Sequence, residues 1–365
     1  MEKFKNTNYY IIAVAIFLGI IIISVILWNV YKNTDPYEFK KYNNADFNSN
    51  MNIALSLEDE ITYNTAWCGT FNLIWNDLKN DLAKQNIVFT PQTKTVENLN
   101  KGTFNTSCLS EESYYKVYGK PTLELKKQIE KDIKEKFDET SEILDDFSWG
   151  TGNPKDYFLY SMLKKEFKFP QVFTKLDNGT FGEYQNVKYF GINSLTDTKV
   201  RDQVIVLYYN SKDDFAIKLT TMSNDEVIIS RGNKEKTFGK IYDEIQNNSN
   251  DYNGDITFQE NDKLQIPNID FKIKKEFDEL ENKTFSFANG DEYSIQKALQ
   301  TIEFQLDEKG GKIKSEAGMQ NRATAAKNDK TRYFIVDNTF CIFLKEKDKS
   351  LPYFAAEISD ISKIQ

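Results

Sequence analysis

The run Thr301–Leu306, TIEFQL, leads into Asp307–Arg332, DEKGGKIKSEAGMQNRATAAKNDKTR, and then into Tyr333–Leu344, YFIVDNTFCIFL. The two flanking runs, rich in β-branched and aromatic residues, read as strands. The stretch between them is about 26 residues long, polar and without an aromatic residue. A connection of that length inside a folded domain is either functional or disordered. Its first half alternates: Gly311, Ile313, Ser315, Ala317 and Met319 are small or apolar, while Lys312, Lys314 and Glu316 are charged. A period of two is the pattern of a strand with one buried face. The segment is therefore either an edge strand followed by a loop, or a loop that can also enter a sheet.

Outward from this point the second half of the chain is mostly β. VKYFGI, QVIVLYY, FAIKLTT and EVIIS are short strand-like runs from Val187 to Ser230, and Lys263–Phe271 and Ala298–Leu306 add two more. YFIVDNTFCIFLKE and PYFAAEIS read as a closing hairpin. The first half is more helical. Phe71, Ile74, Trp75, Leu78 and Leu82 share one helical face, as do Leu125, Ile129, Ile133, Phe137 and Leu144 within an amphipathic stretch from Leu123 to Phe147. NIVFTP, closed by Pro91, has the pattern of a short buried strand, and Asp156–Phe167 fits either strand or helix. Helices first and strands later argue an α+β fold.

The chain has 365 residues, 47 Lys plus Arg against 55 Asp plus Glu, a net charge of -8 and no histidine. The acidic balance disfavours a nucleic-acid backbone binder. The missing histidine removes imidazole bases, ligands and pH switches. Three scattered cysteines do not make a zinc cluster, so neither a metal nor another cofactor is expected. Residues 9–28, YYIIAVAIFLGIIIISVILW, are twenty residues without a charge, all apolar or aromatic except Ser24. At ~1.5 Å each they reach the thickness of a bilayer core. They are expected to form an uncleaved anchor over residues 9–31, with a short cytoplasmic head at 1–8, a polar tether at 32–55 and a domain at 56–365 on the extracellular side. On that side Cys68 and Cys108 could pair; three free thiols fit the count equally well, and Cys341 sits in an apolar run.

Little catalytic signal is present. The chain lacks GxSxG, GxxxxGK and CxxC. Asp145-Asp146 and Asp213-Asp214 read as solvated turns rather than as the facing carboxylates of a hydrolase.

Several blocks, in order, resemble the serpins. FNLIW with NIVFTP resembles that family's first helix and its SPlS element; YSMLKKEFKFPQVF resembles its NAiyFkgkW strand and turn; LQIPNIDFKI, TIEFQLDEKGG, FIVDNTFCIF and PYFAAEISD resemble the later strands. The resemblance implies N-terminal helices, a large central mixed β-sheet and C-terminal barrel-like sheets, preceded here by one transmembrane helix. It makes residues 308–333 an exposed reactive loop, with its hinge at Glu308, Gly310, Gly311, Ile313, Ser315 and Ala317. Counting about seventeen residues from Glu308 places the scissile bond at Thr324–Ala325, with Arg322 or Lys327 as alternative specificity residues if the register slips. The implied partner is a protease of serine (or cysteine) type with a small-residue or basic preference. After cleavage the loop inserts as a strand and carries off the acylated protease. The hinge departs from the small-residue rule at Ile313 and at its lysines. A non-inhibitory serpin-fold binding module on the membrane surface and an unrelated enzyme using Asp, Glu, Lys, Ser or Cys are the competing readings.

Overall fold

In the computed structural model, which describes residues 50–150, 155–193, 198–311 and 331–365, the short apolar runs of the second half become ladders. In chain order the elements are β1 (Asn52–Ala54), β2 (Thr65–Cys68), α1 (Thr70–Asp77), α2 (Lys94–Lys101), β3 (Tyr114–Gly119), α3 (Leu123–Phe137), β4 (Phe158–Leu163) and β5 (Phe167–Lys168). There follow β6 (Thr174–Phe181), β7 (Tyr184–Ile192), α4 (Thr198–Arg201), β8 (Val204–Ser211), β9 (Asp214–Thr220), β10 (Asp225–Arg231) and α5 (Phe238–Asp251). The last part holds β11 (Lys263–Pro267), β12 (Ile269–Glu276), β13 (Thr284–Ser286), β14 (Glu292–Ser294), β15 (Leu299–Asp307), β16 (Gly310–Gly311), β17 (Tyr333–Ile335), β18 (Phe340–Glu346) and β19 (Phe354–Ile358).

The largest sheet has seven strands, in the order β1-β2-β19-β18-β10-β9-β8, and is mixed because β1 runs parallel to β2. A four-stranded sheet runs β12-β15-β16-β5, another runs β17-β11-β7-β6, and β3-β4 and β13-β14 form two-stranded ribbons. The α+β class stands. The main core fills the space between the seven-stranded sheet and the β12-β15 ladder: Phe304 lies 4.6 Å from Phe354 and 5.8 Å from Phe271, ring to ring. A second, smaller core of Ile129, Ile133, Leu144, Phe158 and Tyr160 lies beneath α3, on the opposite face of β4.

Several expectations are corrected. NIVFTP forms no strand. Ile87 and Phe89 are buried and Val88 is 58% exposed, an alternation that mimics one. The Asn100 side chain takes both the N–H and the C=O of Ile87, and Gln92 takes the N–H of Phe89, so the backbone is satisfied without a ladder. The strand before the first helix is instead TAWC, β2, fully buried and paired with β19. Helix α3 stops ten residues short of Phe147. Asp138 adopts a left-handed conformation (φ 53°), and Ser141 then takes the N–H groups of Ile143 and Leu144. The closing hairpin is β18-β19 alone, because β17 joins β11 in parallel in another sheet. Lys263–Phe271 divides between two sheets at Asn268. The fold begins by Met51, since Met51, Ile53 and Leu55 are buried, inside the stretch read as tether. All three cysteines are free thiols and buried, so Cys68 and Cys108 are not paired. The expected head and anchor, 1–8 and 9–31, lie outside the described residues, among which no helix is long and apolar enough to cross a membrane.

Near the chain end Asp360 accepts the Tyr63 hydroxyl at 2.6 Å and the Ser362 N–H at 2.8 Å. Burial alone would raise this carboxyl; the Ser362 and Tyr63 hydrogen bonds overcome it and bring it down to about 2. A depressed carboxyl adds stability above its ordinary value near 4 and loses it as the pH falls toward 2. Urea titrations of Tyr63→Phe should therefore show lower stability at neutral pH and a shallower decline between roughly pH 4 and 2.

Candidate functional site

The candidate site is a slot between β4 and β15, two strands that belong to separate sheets. A cavity of about 1110 Å³ lies between them. Its floor is built from Cys68, Thr70, Phe71, Ile74 and Trp75, and its walls from Phe158–Lys165 on one side and Ala298–Phe304 on the other. The inward side chains of β15 are Gln300, Ile302, Phe304 and Leu306, all buried; Thr301, Glu303 and Asp307 on the other face are only partly covered. On β4, Leu159 and Leu163 pack toward the main core, while Phe158, Tyr160 and Met162 serve the second core. The floor is tied to both walls through Thr70: its carbonyl accepts Ser161 Oγ of β4 at 2.7 Å, and its hydroxyl accepts Gln300 Nε2 of β15 at 2.8 Å. Aromatic residues close the lower end, where Phe287 stacks on Tyr293 at 3.8 Å beside Tyr157.

At the upper end β16 sits between β15 and β5. Gly311 pairs with Leu306 on one side and Phe167 on the other; Gly310 pairs with Asp307 and Lys168; all four registers are antiparallel. Both glycines are needed there. Gly310 has φ 150°, and a Cβ on it would collide with the Phe167 carbonyl; a Cβ on Gly311 would collide with the Phe167 ring. Glu308, in the turn before them, is buried, pairs with Lys175 at 3.2 Å and offers its carbonyl to the Phe173 N–H at 2.8 Å. The structure thus brings Glu308, Gly310 and Gly311 together at the mouth of the slot. Ile313, Ser315, Ala317, Arg322, Thr324, Ala325 and Lys327 lie outside the described residues.

The segment after α3, Glu139–Phe147, runs across the front of the slot. Glu142 reaches Lys272 on β12 at 2.5 Å, and Asp146 reaches Lys274 at 2.6 Å. The Lys272 side chain is 1% exposed although it points away from the main core. Asp145 meets Lys126 at 2.5 Å, so the Asp145-Asp146 pair is divided between two lysines. Asp213 meets Arg231 at 3.0 Å, and Asp214 accepts the Asn210 amide at 3.2 Å. No metal-ligating cluster occurs among the described residues.

Sequence reading missed a buried ion cluster at the head of the slot. Lys165 bonds Asp225 and lies 2.7 Å from Glu346; all three side chains are 3% exposed or less. Glu346 also accepts the hydroxyls of Ser110 at 2.8 Å and Ser113 at 2.9 Å, and Asp225 accepts the Tyr353 hydroxyl at 3.0 Å. Burial works to raise the Glu346 carboxyl, but Lys165 and the two serines outweigh it and hold it below the usual carboxylate range. The only signal in the sequence was a lysine pair, Lys164-Lys165, inside an aromatic strand-like run.

No family model matches the sequence, and no curated protein does. Among solved structures the chain is similar to thyroxine-binding globulin in complex with thyroxine, at 12% identity over 82% of this chain and 93% of that one, with a TM-score of 0.47. It is similar to Serpin48, described as a highly specific serpin of the insect Tenebrio molitor, at 12% identity over 82% and 75%, TM-score 0.38. It is similar to human glycosylated kallistatin at 13% identity over 75% and 72%, TM-score 0.39.

Proposed function

We propose that the chain is a serpin-like inhibitor of extracellular serine or cysteine proteases, tethered to the membrane through residues 9–31 and acting by loop cleavage and strand insertion. The observation that carries this reading is the position of β16: the hinge glycines Gly310 and Gly311 lie between β15 and β5, at the top of a slot that continues downward. If both ladders run on in register, Ile313 falls between Phe304 and Lys165, Ser315 between Ile302 and Leu163, Ala317 between Gln300 and Ser161, and Met319 between Ala298 and Leu159. Antiparallel partners share a face, so these residues take the inward face, the set that the alternation of the sequence singles out. Ladder and alternation are independent arguments for the same residues.

In this mechanism the protease nucleophile attacks the Thr324 carbonyl, the Ala325 amine leaves, and the acyl-enzyme is moved as the loop seats. Ile313 is the bulky member of the inward set, and overpacking costs ~1–3 kcal/mol in a closed core; in this reading the open cavity between β4 and β15 leaves room for it. Incubation with elastase, subtilisin or trypsin should give a covalent complex that survives boiling in SDS, and the C-terminal fragment, separated by denaturation, should begin at Ala325 or within about two residues of it. Clean cleavage by each protease with no such complex would contradict inhibition.

A further inference from the structure

The lower end of the slot is walled by rings. Phe287 and Tyr293 stack at 3.8 Å with 20° between their planes, and Tyr157 stands 6.4 and 6.2 Å from them. On the floor, Phe71 and Trp75 lie 6.4 Å apart and 27° from parallel. Tyr157 is 39% exposed. Aromatic rings accept a further ring, offset-stacked or edge on, at centroid distances of about 4.5–7 Å. Pockets for small molecules run from about 300 to 1,000 Å³ and are mostly apolar, with a few placed polar groups. The cavity of about 1110 Å³ has that room and that lining.

One polar group in the cavity wall is incomplete. Gln300 of β15 is buried, and its Nε2 donates to the Cys68 carbonyl at 3.0 Å and to the Thr70 hydroxyl at 2.8 Å. Those two acceptors fix which end of the amide is which. Its Oε1 is buried and meets no donor among the described residues. A buried acceptor left unpaired is unfavourable until a donor reaches it. The two lysines that line this end are paired: Lys155 lies 2.7 Å from Asp291, and Lys297 lies 3.0 Å from Glu276. An uncharged occupant therefore enters without burying a charge that lacks a partner.

We propose that the lower half of the slot binds a neutral, flat aromatic molecule carrying one hydrogen-bond donor, seated against Phe71, Trp75 and the Phe287–Tyr293 stack, with its donor on Gln300 Oε1. Bound there, it fills the space between β4 and β15 and so delays the seating of a strand. The binding site stands on the cavity alone; the delay rests on the strand-insertion reading and adds a regulator to it.

The probe is 2-naphthol, uncharged at neutral pH, with naphthalene as the ring without a donor. Equilibrium dialysis of the full, uncut chain against the same detergent buffer cancels uptake by micelles. The wild type should bind one equivalent saturably. F287A/Y293A should weaken 2-naphthol at least tenfold. Should that variant fail to fold, Y157A, at an exposed position, carries the comparison with about a threefold loss. Q300L should weaken 2-naphthol about fivefold and leave naphthalene unchanged, which a merely structural role for Gln300 would not do. No saturable binding, or equal binding by the wild type and every variant, would overturn the site. After the loop is cut, saturating 2-naphthol should slow the gain in melting temperature more than tenfold. Binding with an undiminished rate of gain would overturn the regulation and leave both the site and strand insertion standing. No gain on cutting, with or without 2-naphthol, would remove strand insertion and the regulation with it, while the dialysis result decides the site separately.

Discussion

Cutting the loop near Thr324 should raise the melting temperature of the protein by roughly 10 °C. In the proposed reading the freed segment seats Ile313, Ser315, Ala317 and Met319 over a cavity whose floor includes Phe71, Ile74 and Trp75. Burying one isoleucine and one methionine is worth ~1.5–3 kcal/mol each, and the added ladder bonds contribute ~1 kcal/mol apiece against the ordering cost of the backbone. A net gain of about 5 kcal/mol, at about 2 °C per kcal/mol for a domain of this size, gives the figure. In the proposed reading, cutting frees one end of the segment between Gly311 and Thr331, so that it can seat as a strand. Calorimetry before and after limited proteolysis decides the matter, and an unchanged or lower melting temperature would mean that the slot takes no strand.

The second large effect belongs to Lys165. Its ammonium is the one cation directly on Asp225 and Glu346 among the described residues, and all three groups are out of water. Lys165→Met leaves two buried carboxylates without their counter-ion, which should cost about 3–5 kcal/mol, read as a lower urea midpoint with an unchanged slope. The triple variant Lys165→Met, Asp225→Asn, Glu346→Gln should recover a large part of that loss, because the charges that demanded compensation are gone. A single-variant loss below about 1 kcal/mol would show that the carboxylates take up protons instead. The cluster also fixes the slot: Lys165 sits where β4 gives way to β5, and its partners lie at the near ends of β10 and β18. The top of one wall is therefore held in place from beneath while the rest of the wall faces a cavity.

How much of this was legible in the sequence depends on the kind of pattern. QVIVLYY, FAIKLTT, EVIIS and FCIFLKE lie in the seven-stranded sheet as β8, β9, β10 and β18, because runs of β-branched and aromatic residues have few other ways to be buried. TAWC, β2, was passed over: four residues with one aromatic carry no period, and only their pairing with β19 makes them a strand. NIVFTP misled for the opposite reason, since its alternation is genuine but its backbone is satisfied by Asn100 and Gln92, contacts that no local pattern shows. At the site, Gly310 and Gly311 could be named because TIEFQLDEKGG resembles the serpin strand that leads into the reactive loop. The carboxylates could not, because Glu139 and Glu142 meet the slot only once α3 has stopped at Asp138 and the chain has crossed to Lys272, 130 residues away. Lys165 was hidden in the same way, as one lysine among many until its two partners, distant in sequence, are brought beneath it.

The central claim is that β4 and β15 are the two walls of a place for one more strand. Amide hydrogen exchange of residues 158–163 and 299–305, compared between the intact and the loop-cut protein, tests it most directly. A seated strand would hydrogen-bond to the facing edge of each wall, and exchange in both segments should slow by a hundredfold or more after cutting. If the loop is severed and both segments exchange as fast as before, no strand has entered and the account is wrong.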